Sequence, residues 1–239
     1  ELDQAIADYT QALTINPKDV EAYNNRGIAY SDKGELDKAI ADFNLALQIN
    51  PKDAEAYNNR GIAYRKKGKL DKAIADYTQA IKIYPKFAEA YNNRGIAYSD
   101  KGELDKAIAD YTQALKINPK FAPAYNNRGF AYYQKGEFDK AIADYTQALQ
   151  INPEYAGAYN NRGNAYSDKG ELDKAIADYT QTLKINPKFA PAYNNRGIAY
   201  SKLGNKQKAI QDFNKAAKLF ADQGDTARQQ QALELLKEL

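Results

Sequence analysis

Ala22-Tyr23-Asn24-Asn25-Arg26-Gly27 is a stretch that occurs six times in the chain, each copy 34 residues after the last. The glycines that close the copies are Gly27, Gly61, Gly95, Gly129, Gly163 and Gly197. A fixed interval of this length is typical of repeat proteins, in which each repeat contacts its neighbours and all of them extend one core. The interval predicts a single elongated domain, residues 1–239, with a long surface and no single catalytic pocket.

Aligning the copies divides most of the chain into full repeats, at 20–53, 54–87, 88–121, 122–155, 156–189 and 190–223. Residues 1–19 match only the second half of a repeat, so we expect the second helix of a truncated repeat and a fragment of a longer protein. Residues 225–239 carry Ala232, Leu235, Leu236 and Leu239 at helical spacing, which predicts a capping helix.

Each repeat has the apolar spacing of two helices. In the first copy, the pattern predicts one helix from Ala22 to Lys33, with Gly34 as its left-handed stop. A second helix follows, with Asp37 as its expected N-cap. It ends at Asn50-Pro51, because proline disfavours helical geometry in the residue before it. Every repeat is therefore predicted to be a helical hairpin.

Two kinds of helix-breaking residue fall inside predicted helices. Pro123 and Pro191 lie in a first turn, where the missing N–H would have had no partner. Gly27 lies in a helix interior, where glycine costs about 1 kcal/mol relative to alanine. We expect a neighbouring helix to approach closely at that glycine.

Seven positions of the first copy carry a recognisable pattern, supplied by Tyr23, Gly27, Tyr30, Ala39, Phe43, Ala46 and Pro51. This pattern resembles the tetratricopeptide repeat, over roughly residues 1–221. The resemblance implies an all-α fold, a right-handed superhelical solenoid of antiparallel helix pairs, whose first helices line a concave face. The chain departs from the family pattern at two positions. Arg26 and its copies stand where the family has leucine, and Ala221 stands where the family has the closing proline.

The composition removes the usual tools of catalysis, since the chain has no Cys, His, Met or Trp. There is no thiolate nucleophile, no His-activated serine and no nitrogen or sulfur ligand for zinc. We therefore predict no enzyme activity, no catalytic or metal-binding residue and no cofactor. No hydrophobic run is long enough to cross a bilayer.

Positions within a repeat are numbered from its first residue, so that residue 20 is position 1. Positions 2, 6, 9 and 13 share one face of the first helix. Position 6 is always asparagine, at Asn25, Asn59, Asn93, Asn127, Asn161 and Asn195. Asparagine offers a donor and an acceptor to a peptide backbone, and the row resembles the asparagine ladders of family members that hold extended polypeptide. The alternative is a tolerated polar residue that bonds within its own repeat. Position 5, Asn24 and its copies, is interpreted mainly as a contact to the adjacent repeat.

Specificity is expected where the copies differ. Position 9 is Ile except at Phe130 and Asn164, and position 12 is Ser except at Arg65 and Tyr133. Phe130 and Tyr133 are predicted to form an aromatic pocket beside Arg65 and Lys66, with sequence drift as the alternative. The carboxylate clamp of related chaperone adaptors is not assembled, because position 5 is asparagine where that clamp has lysine.

A row of arginines at position 7, Arg26 and its copies, is matched by a row of aspartates at position 23, Asp42 and its copies. We expect these rows to pair with each other. The net charge is only +3, from 34 basic and 31 acidic residues, so RNA binding is the least favoured hypothesis.

The predicted function is a non-catalytic scaffold that binds an extended segment of a protein partner, which the repeats do not identify, in the concave groove. The alternative is a self-associating or consensus-like repeat scaffold with no dedicated peptide ligand. That alternative arises because the truncated repeat leaves Ile6, Tyr9 and Leu13 partly unpaired, so that residues 1–19 can stack end to end with another molecule.

Overall fold

The computed structural model describes residues 1–239 as fourteen α-helices joined by short turns, in two compact units, Glu1–Pro119 and Lys120–Leu239. The first compact unit contains α1 (Leu2–Ile15), α2 (Val20–Asp32), α3 (Leu36–Ile49), α4 (Ala54–Lys66), α5 (Leu70–Ile83), α6 (Ala88–Asp100) and α7 (Leu104–Ile117). The second contains α8 (Ala122–Gln134), α9 (Phe138–Ile151), α10 (Ala156–Asp168), α11 (Leu172–Ile185), α12 (Ala190–Lys202), α13 (Lys206–Asp222) and α14 (Thr226–Lys237).

Within each compact unit, consecutive helices pack against each other in pairs. The even-numbered helices from α2 to α12 are the first helices of the predicted repeats, and the odd-numbered helices from α3 to α13 are the second helices. First helices of successive repeats also touch, α2 with α4 and α4 with α6, and α8 with α10 and α10 with α12. The predicted all-α fold of helix pairs is confirmed, while the repeat boundaries and the capping role of 225–239 stay predictions.

The helices end where glycine and proline predicted. Gly34 follows α2 with a φ of 80°, a left-handed conformation that residues with a Cβ rarely adopt. After α3, Asn50 is extended, with φ −124°, and its side-chain oxygen accepts from the backbone N–H of Lys52 at 3.1 Å. Pro123 and Pro191 lie in the first turns of α8 and α12, as predicted.

The predicted N-cap at Asp37 is wrong. α3 begins at Leu36, its N-cap residue is Glu35, and Asp37 lies in the first turn. The Asp37 carboxylate instead forms a hydrogen-bonded ion pair with Lys67 of the next repeat. Carboxylates are favoured both at the N-cap and throughout the first turn of a helix, so the residue type does not distinguish the two positions.

The expectation that Leu13 is left partly unpaired is also wrong. Leu13 is 7% exposed, because α1 packs on α2 and covers it. Ile6 and Tyr9 are half-buried, and Ile15 is 78% exposed. The most exposed apolar side chain among these is therefore that of Ile15, at the C-terminal end of α1, and not that of Ile6, Tyr9 or Leu13.

The second helix of the last repeat is longer than its equivalents. α13 has 17 residues where α11 has 14, because Ala221 stands in place of the proline that ends the other copies. The C-terminal end of α13 carries the buried Leu219 and Phe220, which pack with Ala232 of α14. The longer α13 thereby adds Phe220 to its contact with α14.

The core of each repeat is an aromatic ring set against glycine and alanine. A Cβ built on Gly27 would lie 2.7 Å from Cε1 of Phe43, closer than a carbon atom can approach. Phe43 is 1% exposed, and Ala39 and Ala63 around it are fully buried. The predicted close approach at the glycine is confirmed, and the ring that makes it comes from the second helix of the same repeat.

Tyrosine replaces Phe43 in the four middle repeats, at Tyr77, Tyr111, Tyr145 and Tyr179. Burial raises the pKa of all four phenols above the ordinary value of about 10. Below about pH 10 each phenol is neutral in both the folded and unfolded states. Above it, the unfolded chain ionises first, so stability is lost as the pH rises towards the folded-state pKa. We expect each phenol to remove up to about 1.4 kcal/mol of unfolding free energy per pH unit, measured by urea denaturation.

The chain provides the control for this alkaline loss, because Phe43 and Phe213 occupy the same position in the outer repeats. The hydroxyls of Tyr77 and Tyr145 have no hydrogen-bond partner within the protein. The variant Tyr77→Phe/Tyr145→Phe is therefore expected to match the wild type at neutral pH and to lose less stability at alkaline pH. An equal alkaline loss in both proteins would contradict the assignment to these phenols.

Candidate functional site

The arginine row at position 7 is paired inside the fold. Arg94 donates from Nε to Asp110 Oδ2 at 2.7 Å and from Nη2 to Asp110 Oδ1 at 2.8 Å. The same two-bond pair forms in every full repeat, at Arg26–Asp42, Arg60–Asp76, Arg128–Asp144, Arg162–Asp178 and Arg196–Asp212. The predicted pairing is confirmed.

The same guanidinium also reaches the preceding repeat. Arg94 Nη1 donates to Thr78 Oγ1 of α5 at 3.0 Å, so one side chain joins α5, α6 and α7. The hydrogen bond to Asp110 raises the pKa of Arg94, against the opposing effect of burial. The guanidinium carbon lies 5.6 Å from the ring centre of Tyr91, within cation–π range. These contacts give the arginine row a structural role.

The asparagines of position 6 are half-buried on the first helices of each compact unit. Some of them bond to the repeat before them. Asn93 Nδ2 donates to Asn58 Oδ1 at 3.0 Å, and Asn161 Nδ2 donates to Asn126 Oδ1 at 3.1 Å. The interpretation of position 5 as a contact to the adjacent repeat is therefore confirmed at Asn58 and Asn126.

These inter-repeat bonds leave part of each position-6 amide unused. The Oδ1 atoms of Asn93 and Asn161 accept no hydrogen bond within the protein, and each Nδ2 keeps a second hydrogen. Asn25 makes no side-chain hydrogen bond. The row thus retains acceptors and donors on a partly exposed face, and its contact with a ligand stays a prediction.

Two cavities lie on the first-helix face at equivalent repeat positions. The first compact unit has a cavity of 100 Å³, lined by Ile28, Ser31, Asp32, Phe43, Asn59, Ile62 and Lys66. The second has one of 340 Å³, lined by Tyr133, Asn164, Ser167, Asp168, Tyr179, Asn195, Ile198 and Lys202. Positions 6, 9 and 13 line both cavities, so three positions of the predicted stripe share a face.

Phe130 and Tyr133 lie in the second compact unit and stack on each other, with ring centres 6.4 Å apart and an interplanar angle of 21°. Phe130 is 42% exposed, whereas the Tyr133 hydroxyl donates to Asp168 Oδ2 at 2.5 Å. Burial, together with that hydrogen bond, raises the pKa of Tyr133 to about 12. The aromatic pair is present, and only Tyr133 reaches the 340 Å³ cavity.

Arg65 and Lys66 lie in the first compact unit and are bonded to adjacent repeats. Arg65 Nη1 donates to Asp100 Oδ2 at 3.1 Å, and Lys66 Nζ donates to Ser31 Oγ at 3.2 Å. Both bonds join positions 12 and 13 of successive repeats, as the bond from Tyr133 to Asp168 does. The two basic residues therefore have a partner within the fold as well as partial exposure.

Asn164 makes a local network that sequence analysis did not predict. Its Oδ1 accepts from the hydroxyl of Tyr179 at 2.9 Å and from Nδ2 of Asn195 at 3.0 Å. Asp168 and Lys202, which line the same cavity, were also missed as site residues. The sequence feature that could have identified them is the charge at position 13. This position is charged in five of the six repeats, and in the last two repeats it is negative at Asp168 and positive at Lys202.

The sequence matches models of a known protein family. A TPR repeat model matches residues 1–34, 61–102, 97–136, 131–170 and 163–204. Two further tetratricopeptide repeat models match residues 20–53 and 190–222, and residues 43–75. No curated protein matches the chain.

None of the fourteen helices combines the length and apolar character that a membrane span requires.

Solved structures share the fold. MamA is 33% identical over 69% of this chain and 96% of its own, with a TM-score of 0.63. A chain of the APC/C hetero-tetramer Cut9–Hcn1 has a TM-score of 0.83 at 19% identity, over 99% of this chain and 46% of that one, so this chain spans less than half of it. YrrB, a TPR protein with an unusual peptide-binding site, has a TM-score of 0.59 at 23% identity, over 77% of this chain and 95% of its own. At 19% and 23% identity, the likeness shows the fold alone. By these family models, the chain belongs to the tetratricopeptide repeat family.

Proposed function

We propose that this chain is a non-catalytic protein-interaction scaffold that binds an extended peptide along the first-helix face, through the position-6 asparagines. The observation that carries the proposal is that amide atoms of this row are left without partners, at Asn25, Asn93 and Asn161, on a half-buried face. Cavities lie beside two other members of the row, Asn59 and Asn195. Partly buried amides bind a peptide backbone without selecting its sequence, and the cavities add side-chain selectivity.

The spacing of the row suits an extended ligand. Packed helices lie about 8–10 Å apart and an extended strand rises about 3.3 Å per residue, so an asparagine meets about every third to sixth residue of the peptide. Each hydrogen bond contributes about 0.5–1.5 kcal/mol net. The row alone therefore gives modest affinity, and the side-chain cavities must add to it. The peptide-binding site that YrrB is described as having supports the proposal, because that protein shares the fold.

The proposal predicts that Asn93→Ala, Asn127→Ala and Asn161→Ala each weaken peptide binding. Binders would be selected from a displayed library of unstructured 15-residue peptides, and their Kd measured by fluorescence anisotropy. Loss of one or two hydrogen bonds is expected to raise Kd by about 2- to 10-fold per variant. Circular dichroism would show that helical content is retained.

Exposed amides of second helices serve as matched controls. Gln48 on α3 and Gln150 on α9 are exposed and make no side-chain hydrogen bond. Gln48→Ala and Gln150→Ala are expected to leave Kd unchanged. If the asparagine variants bind as tightly as the wild type, or if both groups lose affinity equally, the row does not bind the peptide.

A self-associating scaffold is the second candidate. It is favoured by α1, where Leu2 is 40% exposed and Ile15 is 78% exposed. Light scattering across a dilution series separates the candidates, because association through residues 1–19 makes the mass rise with concentration. The RNA hypothesis draws no support from the arginine row, because aspartates already pair with it.

A further inference from the structure

The cavity beside Asn164 differs from its equivalent in the first compact unit at two matched positions, with Asn164 in place of Ile28 and Tyr179 in place of Phe43. Position 9 is Ile or Phe in the other five full repeats, and only α10 carries an asparagine there. The cavity measures 340 Å³, against 100 Å³ for the equivalent cavity lined by Ile28 and Ile62. In the smaller cavity Lys66 bonds to Ser31, whereas Lys202 makes no hydrogen bond or ion pair. The Asn164 cavity is therefore larger and more polar than its equivalent.

Asn164 also displaces a bond between repeats. In the same compact unit, Asn161 donates to Asn126, the position-5 asparagine of the repeat before it. Asn195 would make the equivalent bond to Asn160 but donates to Asn164 instead. The Oδ1 of Asn160 is left buried without a hydrogen-bond partner within the protein, and so is the Oδ1 of Asn24, although the repeat of Asn24 carries Ile28 at position 9. Asn164 gives the Tyr179 hydroxyl an acceptor that the buried hydroxyls of Tyr77 and Tyr145 lack, while its own Nδ2 has no acceptor within the protein and is left for a ligand.

The cavity offers both donors and acceptors to a ligand. Asn164 Nδ2 and Lys202 Nζ are donors that have no acceptor within the protein. Asp168 supplies acceptors, because the Tyr133 hydroxyl occupies only Oδ2 and leaves Oδ1 without a donor. The lining thus carries one carboxylate and one ammonium group, each able to bind the opposite end of a neutral polar group.

We propose that the Asn164 cavity binds the carboxamide side chain of a glutamine or asparagine in the bound peptide. The inference rests on the proposed function, since it names the side chain that enters one of the cavities. A carboxamide accepts from Asn164 or Lys202 through its oxygen and donates to Asp168 through its nitrogen. A carboxylate would face Asp168, an ammonium group would face Lys202, and an apolar side chain would leave Asn164 Nδ2 unpaired.

The test uses N-acetyl-glutamine methylamide as the probe, with the corresponding glutamate and norleucine compounds for comparison. Binding to the full chain would be followed by ¹⁵N–¹H NMR of the asparagine side-chain amides. The glutamine probe is expected to shift the signals of Asn164 and Asn195 and to bind about fivefold or more tightly than either comparison compound. Tighter binding of the glutamate or norleucine probe would overturn the proposal.

The control variant is Asn164→Ile/Tyr179→Phe, which reproduces the Ile28–Phe43 pair of the first full repeat and so is expected to fold. It should abolish the shift at Asn195, whereas Tyr179→Phe alone should still bind the glutamine probe more tightly than the glutamate and norleucine probes, because Asn164 and its bond from Asn195 remain. Unchanged probe binding in the double variant would overturn the proposal.

This test separates the cavity from the asparagine row. Asn93→Ala lies in the first compact unit and is expected to leave probe binding at Asn164 unchanged, even though it weakens peptide binding. If the asparagine variants bind peptide as tightly as the wild type but the glutamine probe still binds selectively at Asn164, the cavity proposal holds and the proposed role of the asparagine row is wrong. If peptides bind through the row but no glutamine probe binds at Asn164, the cavity proposal is wrong and the row remains.

Discussion

Arg94→Ala is expected to lower the free energy of unfolding by about 3 kcal/mol, because it leaves the carboxylate of Asp110 buried without its partner. Asp110 is 7% exposed and takes two hydrogen bonds from Arg94. The substitution also removes the bond from Arg94 to Thr78, which ties α6 to the preceding repeat. Guanidinium denaturation followed by circular dichroism measures the loss, which should appear as a lower midpoint.

The chain contains a matched control for this variant. Asp8 of α1 is the equivalent aspartate, but it is exposed and has no arginine partner. Asp8→Ala is therefore expected to change stability by less than about 0.5 kcal/mol. The double variant Arg94→Ala/Asp110→Ala should be more stable than Arg94→Ala alone, because it removes the unpaired charge. If Arg94→Ala costs no more than Asp8→Ala, the pair does not stabilise the repeat.

Gly95→Ala is expected to destabilise the protein by about 2 kcal/mol, although alanine is the better helix former. The new Cβ would lie 2.7 Å from Cε1 of Tyr111 and 2.9 Å from its Cδ1. The Tyr111 ring is 2% exposed, and a ring buried in a close-packed interior resists displacement. Overpacking costs up to about 3 kcal/mol, and the gain in helix propensity offsets about 1 kcal/mol of it. Thermal denaturation would show a lower Tm.

Gly157→Ala is the control, because this glycine lies in the first turn of α10 and its Cβ would meet only the Tyr155 ring, at 3.4 Å. That is an ordinary contact, so the substitution is expected to stabilise the protein by about 0.5–1 kcal/mol. The two alanine variants should therefore shift Tm in opposite directions. A rise in Tm for both would show that the ring moves aside at Gly95.

The fold could be predicted from the sequence because local chemistry alone determines its main features. Gly34 ends one helix and Asn50-Pro51 the next, and both signals act within a few residues. The pairing of Arg26 with Asp42 could also be predicted, because both rows recur without exception and no other buried partner competes. In these cases the residue type has only one favourable conformation or one favourable partner.

The site was harder to predict because its residues have several favourable partners. The Asn93 amide can donate to a ligand or to Asn58, and the sequence contains no information on which is nearer. Asp37 can cap its own helix or pair with Lys67, and the structure has the second arrangement. The network at Asn164 depends on side chains from three helices, Tyr179, Asn195 and Asn164 itself, whose relative positions follow only from the packed structure.

The polar bonds between neighbouring repeats recur at constant sequence offsets, and this has a consequence for inheritance. Asn44 meets Arg60, and Asp37 meets Lys67. Excision of residues 54–87 would present Arg94 and Lys101 to the same two partners, because the copies carry the same residue types at those places. Unequal crossing-over in the gene can therefore add or remove whole copies without disturbing the interior. The number of repeats, and with it the length of the chain, can therefore change in evolution while the polar bonds between neighbouring repeats are kept.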